Sequence, residues 1–417
     1  MMASESPNCL NCFKICGNGA ECGGIMKINV MSDIVPPESE KNLFTEGKIE
    51  ELVEDSLRKK IVEADFNIVN LECPLTRSEN PMKKWGSSIK AAPECVNLLK
   101  RIPNLVVNLA NNHIRDYGDS GLLETIHILE ENQIAYVGAG KNRASLVKSV
   151  ILSGKEARAA VYACAEHEFS IAGEKNAGAN PFALEDMIFE LQHLSQENDF
   201  LIVLYHGGVE FYPYPTPQMR KNLQALVKAG ADLVICQHNH CISAVEETDK
   251  GKIVYGQGSF LFSDRTEVEN NIADFEMWES GMMVEVLLPE RRINYCCFVR
   301  ENGKIKPDLS GKKQKLLMKQ SQNMLQEGFI EESWKKYCSS HLEYMGIFRK
   351  KFQYEKRGLK EKIKEIAKIL LNREDDSDSE YLRIYDYMHC ESHIELIRRI
   401  CQIKSDFDQD MVGKGND

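Results

Sequence analysis

The chain has 417 residues, 43% of them hydrophobic and 28% charged, a globular composition that excludes a fibre or wholesale disorder. A formal net charge of −11 excludes the broad basic footprint that nucleic acid or an anionic membrane would need. It leaves room for an anionic substrate wherever a metal ion supplies the positive charge.

Length implies more than one compact unit. Residues 1–25 form a Cys- and Gly-rich segment holding Cys9, Cys12, Cys16 and Cys22. Four thiolates could ligate one structural zinc, but the spacing Cys9-x2-Cys12-x3-Cys16-x5-Cys22 is not the usual pair of Cys-x2-Cys units, so an unstructured thiol-rich tail is the plainer expectation. The N-terminus has no charged start followed by an apolar stretch, hence no secretory signal. No run approaches the ~18 apolar residues of a spanning helix. No transmembrane anchor, a cytoplasmic location and free thiols are therefore expected.

From residue 26 to 300, short apolar runs alternate with amphipathic stretches, the rhythm of an α/β domain. Leu122, Leu123, Ile126 and Leu129 mark one helix, and Leu223, Leu226 and Val227 another that stops at Gly230. The buried-strand pattern ADLVICQH follows at once. Residues 301–417 read as helical, with Leu359, Ile363, Ile366 and Leu370 in register. The charged run REDDSDSE, from Arg373 to Glu380, reads as a solvated linker before a last amphipathic stretch containing Tyr387 and Leu396.

Five apolar runs end alike. KINVMSD ends in Asp33, FNIVNLE in Glu72, NLVVNLANNH in Asn111, Asn112 and His113, FLIVLYH in His206, and DLVICQHNH in His238 and His240. In open α/β sheets the C-terminal strand ends gather at one edge, where ligands bind. Mixed oxygen and nitrogen donors suit one or two divalent ions of Mn, Fe or Zn better than Ca²⁺. A carboxylate such as Glu72 can bridge a pair of ions that clamps a phosphate and activates water. A single histidine at a strand end is more often a hydrogen-bonded residue than a ligand; the joint occurrence carries the reading. His127, His167, His193, His341, His389 and His393 fit no such pattern and are expected on the surface or in packing.

The strings NLECPLT, NLANNHIRDYGDSGLLETIHILEENQIAYVGAG, HGGVEFYPYPTPQ, AGADLVICQHNH and IVYGQGSFLF resemble the CapA-type family of poly-γ-glutamate capsule synthesis, which is similar to calcineurin-like metallophosphoesterases. The resemblance runs from about residue 27 to 265. It implies a four-layer α/β/β/α metallophosphoesterase-like sandwich, here with a C-terminal helical extension. It also implies metal ligation by Asp33, Glu72 (bridging), Asn112 (through its amide oxygen), His206, His238 and His240. His113 would be the general acid or the electrostatic stabiliser, with Asp116 orienting it, and Glu210 would contact substrate. The function implied is metal-dependent hydrolysis of a phosphate ester or a related substrate, with a non-hydrolytic accessory role in capsular polymer synthesis as the alternative. An anionic small molecule or polymer is the substrate to expect, and capsule-synthesis proteins are the partners.

Three departures from the family pattern stand out. Ser32 precedes Asp33 in place of glycine, Val35 occupies the position of a second histidine ligand, and Gly258-Ser259-Phe260 replaces Gly-Asn-Phe.

Overall fold

The structure is a computed structural model that describes residues 12–16, 24–262, 277–341 and 377–413. Two sheets lie at its centre. The first has the order β1 (Cys12–Cys16), β7 (Ser149–Ser153), β8 (Arg158–Ala165), β10 (Phe200–His206), β11 (Leu233–Gln237), β13 (Lys252–Val254), β12 (Val245–Glu247). The second runs β17 (Lys304–Pro307), β16 (Arg292–Glu301), β15 (Ser280–Leu288), β2 (Met26–Val35), β3 (Phe66–Leu71), β4 (Leu105–Asn108), β5 (Ala135–Val137), with β14 (Ser259–Phe262) also on β2. A small ribbon pairs β6 (Ala139–Gly140) with β9 (Gly178–Ala179).

Each sheet has a parallel heart, β2-β3-β4-β5 in one and β8-β10-β11-β13 in the other. Such strands are buried on both faces and read as unbroken apolar runs. On β10, Phe200, Ile202 and Leu204 enter the core between the sheets, whereas Leu201, Val203 and Tyr205 pack outward. Helices α1 (Asp55–Val62) and α2 (Gly118–Glu131) add Leu57, Ile61, Leu122, Ile126 and Leu129 to the core of the second sheet. Helices α3 (Leu184–Glu197) and α4 (Pro217–Lys228) cover the first sheet through Met187, Leu191, Leu223 and Leu226. The result is a helix/sheet/sheet/helix sandwich.

Local chemistry sets the bounds of α4. Thr216 accepts the Met219 amide at 3.1 Å, Pro217 opens the first turn, and Gly230 adopts φ 119° just past the end.

Four further helices follow: α5 (Lys312–Met324), α6 (Phe329–Ser340), α7 (Ser377–His389) and α8 (Glu391–Gly413). The aromatic loop after β10 seats α6 and α8, since Tyr212 packs with Trp334, Cys338, Leu396 and Ile400. Among the described residues no helix is long and apolar enough to cross a membrane.

Two sequence readings need correction. Residues 12–16 do not form a free tail: they make a parallel edge strand on β7, and Cys9 and Cys22 lie outside the described residues. The run read as a linker already contains the start of α7 at Ser377. Leu359, Ile363, Ile366 and Leu370 lie outside the described residues.

Below the rim the sheets are tied by buried amides. Asn108 Nδ2 donates to Gln237 Oε1 (3.2 Å), Gln237 Nε2 to Gln257 Oε1 (3.1 Å), and Gln257 Nε2 to the Val30 carbonyl (2.9 Å). Buried polar groups satisfied in this way fix one register between two apolar faces.

Candidate metal centre

The C-terminal ends of β2, β3, β4, β10 and β11 converge at one edge of the sandwich. Strand parity explains the aim of the side chains. His206 shares a face with Ile202 and Leu204, and Glu72 continues the Phe66, Ile68, Asn70 series.

Glu72, His206 and His238 offer donor atoms that all lie within 4.8 Å of one another, and so do Asp33, Glu72 and His240. Glu72 belongs to both groups. His206 Nε2 lies 3.3 Å from Glu72 Oε1 and 3.1 Å from Asn112 Oδ1. His240 Nδ1 lies 3.6 Å from Asp33 Oδ2 and 3.2 Å from Ser259 Oγ. Asn70 Nδ2 donates to Asp33 Oδ1 at 2.8 Å. Asn111 builds the turn, bonding Asn70 Oδ1 (3.1 Å) and the Leu71 carbonyl (2.9 Å).

The backbone is strained at this point. His238 (φ 100°) and His240 (φ 51°) both occupy the left-handed region, which costs a non-glycine residue about 1–3 kcal/mol and persists where the surroundings over-determine it. Asn239 supplies that determination, donating to Ser243 Oγ (2.7 Å) and the Tyr255 carbonyl (3.0 Å). The His240 ring packs on Trp278, with centroids 4.3 Å apart.

Electrostatically the cluster is dominated by two carboxylates. Asp33 and Glu72 are fully buried. Burial, then the Glu72 charge, pushes Asp33 up to about 8. Burial pushes His206 down to about 4, against the pull of Asp33 and Glu210, so its imidazole is neutral, the ligating form. Asp33 Oδ2 accepts no hydrogen bond among the described residues. Two buried carboxylates beside the neutral His206 imidazole are the surroundings a divalent cation fits.

Next to the cluster, His113 Nδ1 bonds Asp116 Oδ2 at 2.7 Å. Asp116 also accepts the Ile89 amide (2.8 Å) and pairs with Lys84, which is nearly buried. Asn112, His113, His238 and Glu210 share a cavity of about 480 Å³. All nine residues singled out in the sequence for this site thus lie in or against one region.

The sequence reading passed over several others. Asn70 stands two residues before Glu72 on the same face. Glu168 follows β8, whose run RAAVYACA obeys the same strand-end rule as the other five. His393, expected to be a surface or packing residue, faces this cavity, with Nδ1 2.9 Å from Asp386 Oδ2. Nothing in its sequence neighbourhood announced that, because the contact depends on how α7 and α8 dock.

Residues 27–264 match the family model described as bacterial capsule synthesis protein PGA_cap. Capsule biosynthesis protein CapA of Bacillus anthracis is 28% identical over 239 residues, covering 54% of this chain and 58% of that one. PGA biosynthesis protein CapA of Bacillus subtilis is 26% identical over 204 residues, covering 48% and 53%. The chain therefore spans a little over half the length of these relatives.

Among solved structures, a novel phosphatase from Mycoplasma pneumoniae (TM-score 0.40, 14% identity) covers 66% of this chain and 94% of its own. A 5'-nucleotidase precursor from Thermus thermophilus (TM-score 0.39, 10% identity) covers 73% and 60%. At that distance the likeness concerns general outline alone. With the family match spanning more than half of the sequence, the chain belongs to the bacterial capsule synthesis protein (PGA_cap) family.

Proposed function

We propose that the chain is a metal-dependent hydrolase of a phosphate ester or related anionic substrate. The observation that carries this reading is Glu72, the carboxylate common to both donor groups. Asp33, Glu72 and His240 would hold one divalent ion, and Glu72, Asn112, His206 and His238 a second. The donor set suits Mn, Fe or Zn. When bound, such an ion supplies Lewis acidity and a nucleophile at neutral pH. The chain's own residues do the rest. Asp116 fixes Nδ1 of His113 as the protonated nitrogen, so Nε2 is the atom that passes a proton to the leaving oxygen. Lys84, seated on Asp116 3.2 Å from His113 Nδ1, adds positive charge where the substrate anion would sit. Glu210 stands on the cavity wall to meet substrate.

The test is to strip the protein, reload it with Mn²⁺, Fe²⁺ or Zn²⁺, and assay aryl phosphate mono- and diesters. Metal-dependent turnover that His238→Ala abolishes supports the reading. Inactivity in every combination, with metal demonstrably bound, removes hydrolysis and leaves the accessory role in capsular polymer synthesis. That second reading draws on Val35, a buried apolar side chain where the family's standard phosphoesterase kin carry a ligand.

A further inference from the structure

The cavity over the metal centre has two walls of different origin. One consists of Asn112, His113, Gly208, Glu210 and His238, all within the family-matched span. The other comes from the C-terminal helical pair α7–α8, outside that span, and presents Arg383, Asp386, Tyr387 and His393.

This second wall is fixed to the sandwich. Glu391 accepts the His167 amide (2.8 Å) and meets His167 Nδ1 (2.6 Å). Ser392 Oγ donates to Glu166 (2.9 Å), and Glu395 takes the Thr216 hydroxyl and the Gln218 amide (3.0 Å). Leu396 and Ile400 are buried against Tyr212 and Trp334.

Within the wall, Arg383 is held in place. Its guanidinium lies over the Trp85 ring (4.6 Å to the centroid), and its Nε donates to the Tyr387 hydroxyl at 2.7 Å. A planar guanidinium fixed by stacking is the fork that reads carboxylate or phosphate with little ordering cost.

We propose that Arg383 recognises a second anionic group, carboxylate or phosphate, on a small substrate whose first anionic group is held at the metal centre. The C-terminal helical pair is then the specificity-determining wall of the site. The inference rests on the metal-centre reading above. The cavity volume of about 480 Å³ falls in the range of small-molecule sites.

The test uses the full chain, saturated with Mn²⁺, and non-hydrolysable probes. Calorimetry compares simple alkylphosphonates with α,ω-phosphonocarboxylates and bisphosphonates of increasing chain length. At one chain length the doubly anionic probe should bind at least about tenfold more tightly than the alkylphosphonate. Comparing the carboxylate and phosphonate arms tells which second group is preferred. Arg383→Gln should remove the preference and leave alkylphosphonate affinity unchanged, and Arg383→Lys, which keeps the charge and the stem, should retain part of it. No preference at any length, or a preference that survives in Arg383→Gln, overturns the inference and leaves the metal centre standing. Failure of even simple alkylphosphonates to bind the metal-loaded protein overturns both.

Discussion

Glu168 Oε2 accepts a hydrogen bond from Asn112 Nδ2 at 3.3 Å, while Asn112 Oδ1 lies 3.1 Å from His206 Nε2. The first contact decides the second. An amide has one oxygen face and one nitrogen face, and a carboxylate on the nitrogen side turns the oxygen towards the metal centre. Replacing Glu168 by Leu is expected to let the amide turn and to lower metal affinity about 10–100-fold, the usual scale for residues that orient a ligand. Glu168→Gln, whose oxygen can accept the same bond, should stay near wild type. Titration of Mn²⁺ followed by quenching of Trp278, whose ring packs against His240, reads the affinity without any assay of turnover. Equal affinities for Leu and Gln would show that Asn112 needs no such partner.

Asp116 has a different task. It accepts from His113, Lys84 and the Ile89 amide while fully buried. His113→Ala should lower kcat about 10²–10⁴-fold, the range for a lost general acid, with metal content unchanged. Asp116→Asn keeps the shape but can present a donor to His113 Nδ1 and leaves Lys84 without its counter-charge. It should lower kcat and also reduce stability, because a buried hydrogen-bonded ion pair has been broken. Melting temperature and metal analysis on both variants separate the roles: His113→Ala loses turnover alone, and Asp116→Asn loses both.

His393 gives the docked C-terminal helices a pH dependence. Burial disfavours its charged form, but the bond to Asp386 and the charges of Asp386, Glu168 and Glu166 outweigh that and push it up to about 9. A histidine whose folded value lies above its unfolded value of about 6.5 binds more protons in the folded state between those two values. Its contribution is therefore complete below pH ~6.5 and is lost as pH rises towards 9. Thermal unfolding from pH 6 to 10 should show wild type losing stability relative to His393→Gln across that window. Parallel curves would mean that the Asp386 pair contributes nothing to docking.

The sequence was legible where chemistry recurs with a period. Strand endings at Asp33, Glu72, His206 and His238 could be read because parallel strands are buried on both faces and change character abruptly at the rim. The helix ending at Gly230 could be read because a left-handed residue there favours glycine. The ending of β8 at Glu166-His167-Glu168 obeyed the same rule, yet it lay outside the motifs that carried the resemblance. What could not be read was contact made by docking. No local pattern marks Tyr212 and Tyr214 as a seat for helices, and only the position of Trp334 and Leu396 makes them one. His393 and Arg383 reach the cavity across more than a hundred residues of intervening chain, and no local pattern encodes that distance.

The histidine turn also depends on a glycine that ligates nothing. Gly256 follows β13, and a Cβ placed on it would meet Asn239 Oδ1 at 2.3 Å, Asn239 Nδ2 at 2.4 Å and Ser243 Oγ at 2.5 Å. Asn239 is the residue between His238 and His240, and its side chain holds their left-handed backbone in place. Gly256→Ala must push that amide aside and release its bonds to Ser243 and the Tyr255 carbonyl. The strain at His238 and His240 then lacks what over-determines it, and the turn relaxes. Metal affinity and melting temperature should fall together in Gly256→Ala. Asn239→Ala, which removes the obstructing amide along with its bonds, should lower both as well, and adding Gly256→Ala to it should cost less than Gly256→Ala costs alone, since of the three atoms only the rotatable Ser243 hydroxyl then meets the new Cβ. A double variant showing the full sum of both losses would mean that the glycine acts on something other than the histidine turn.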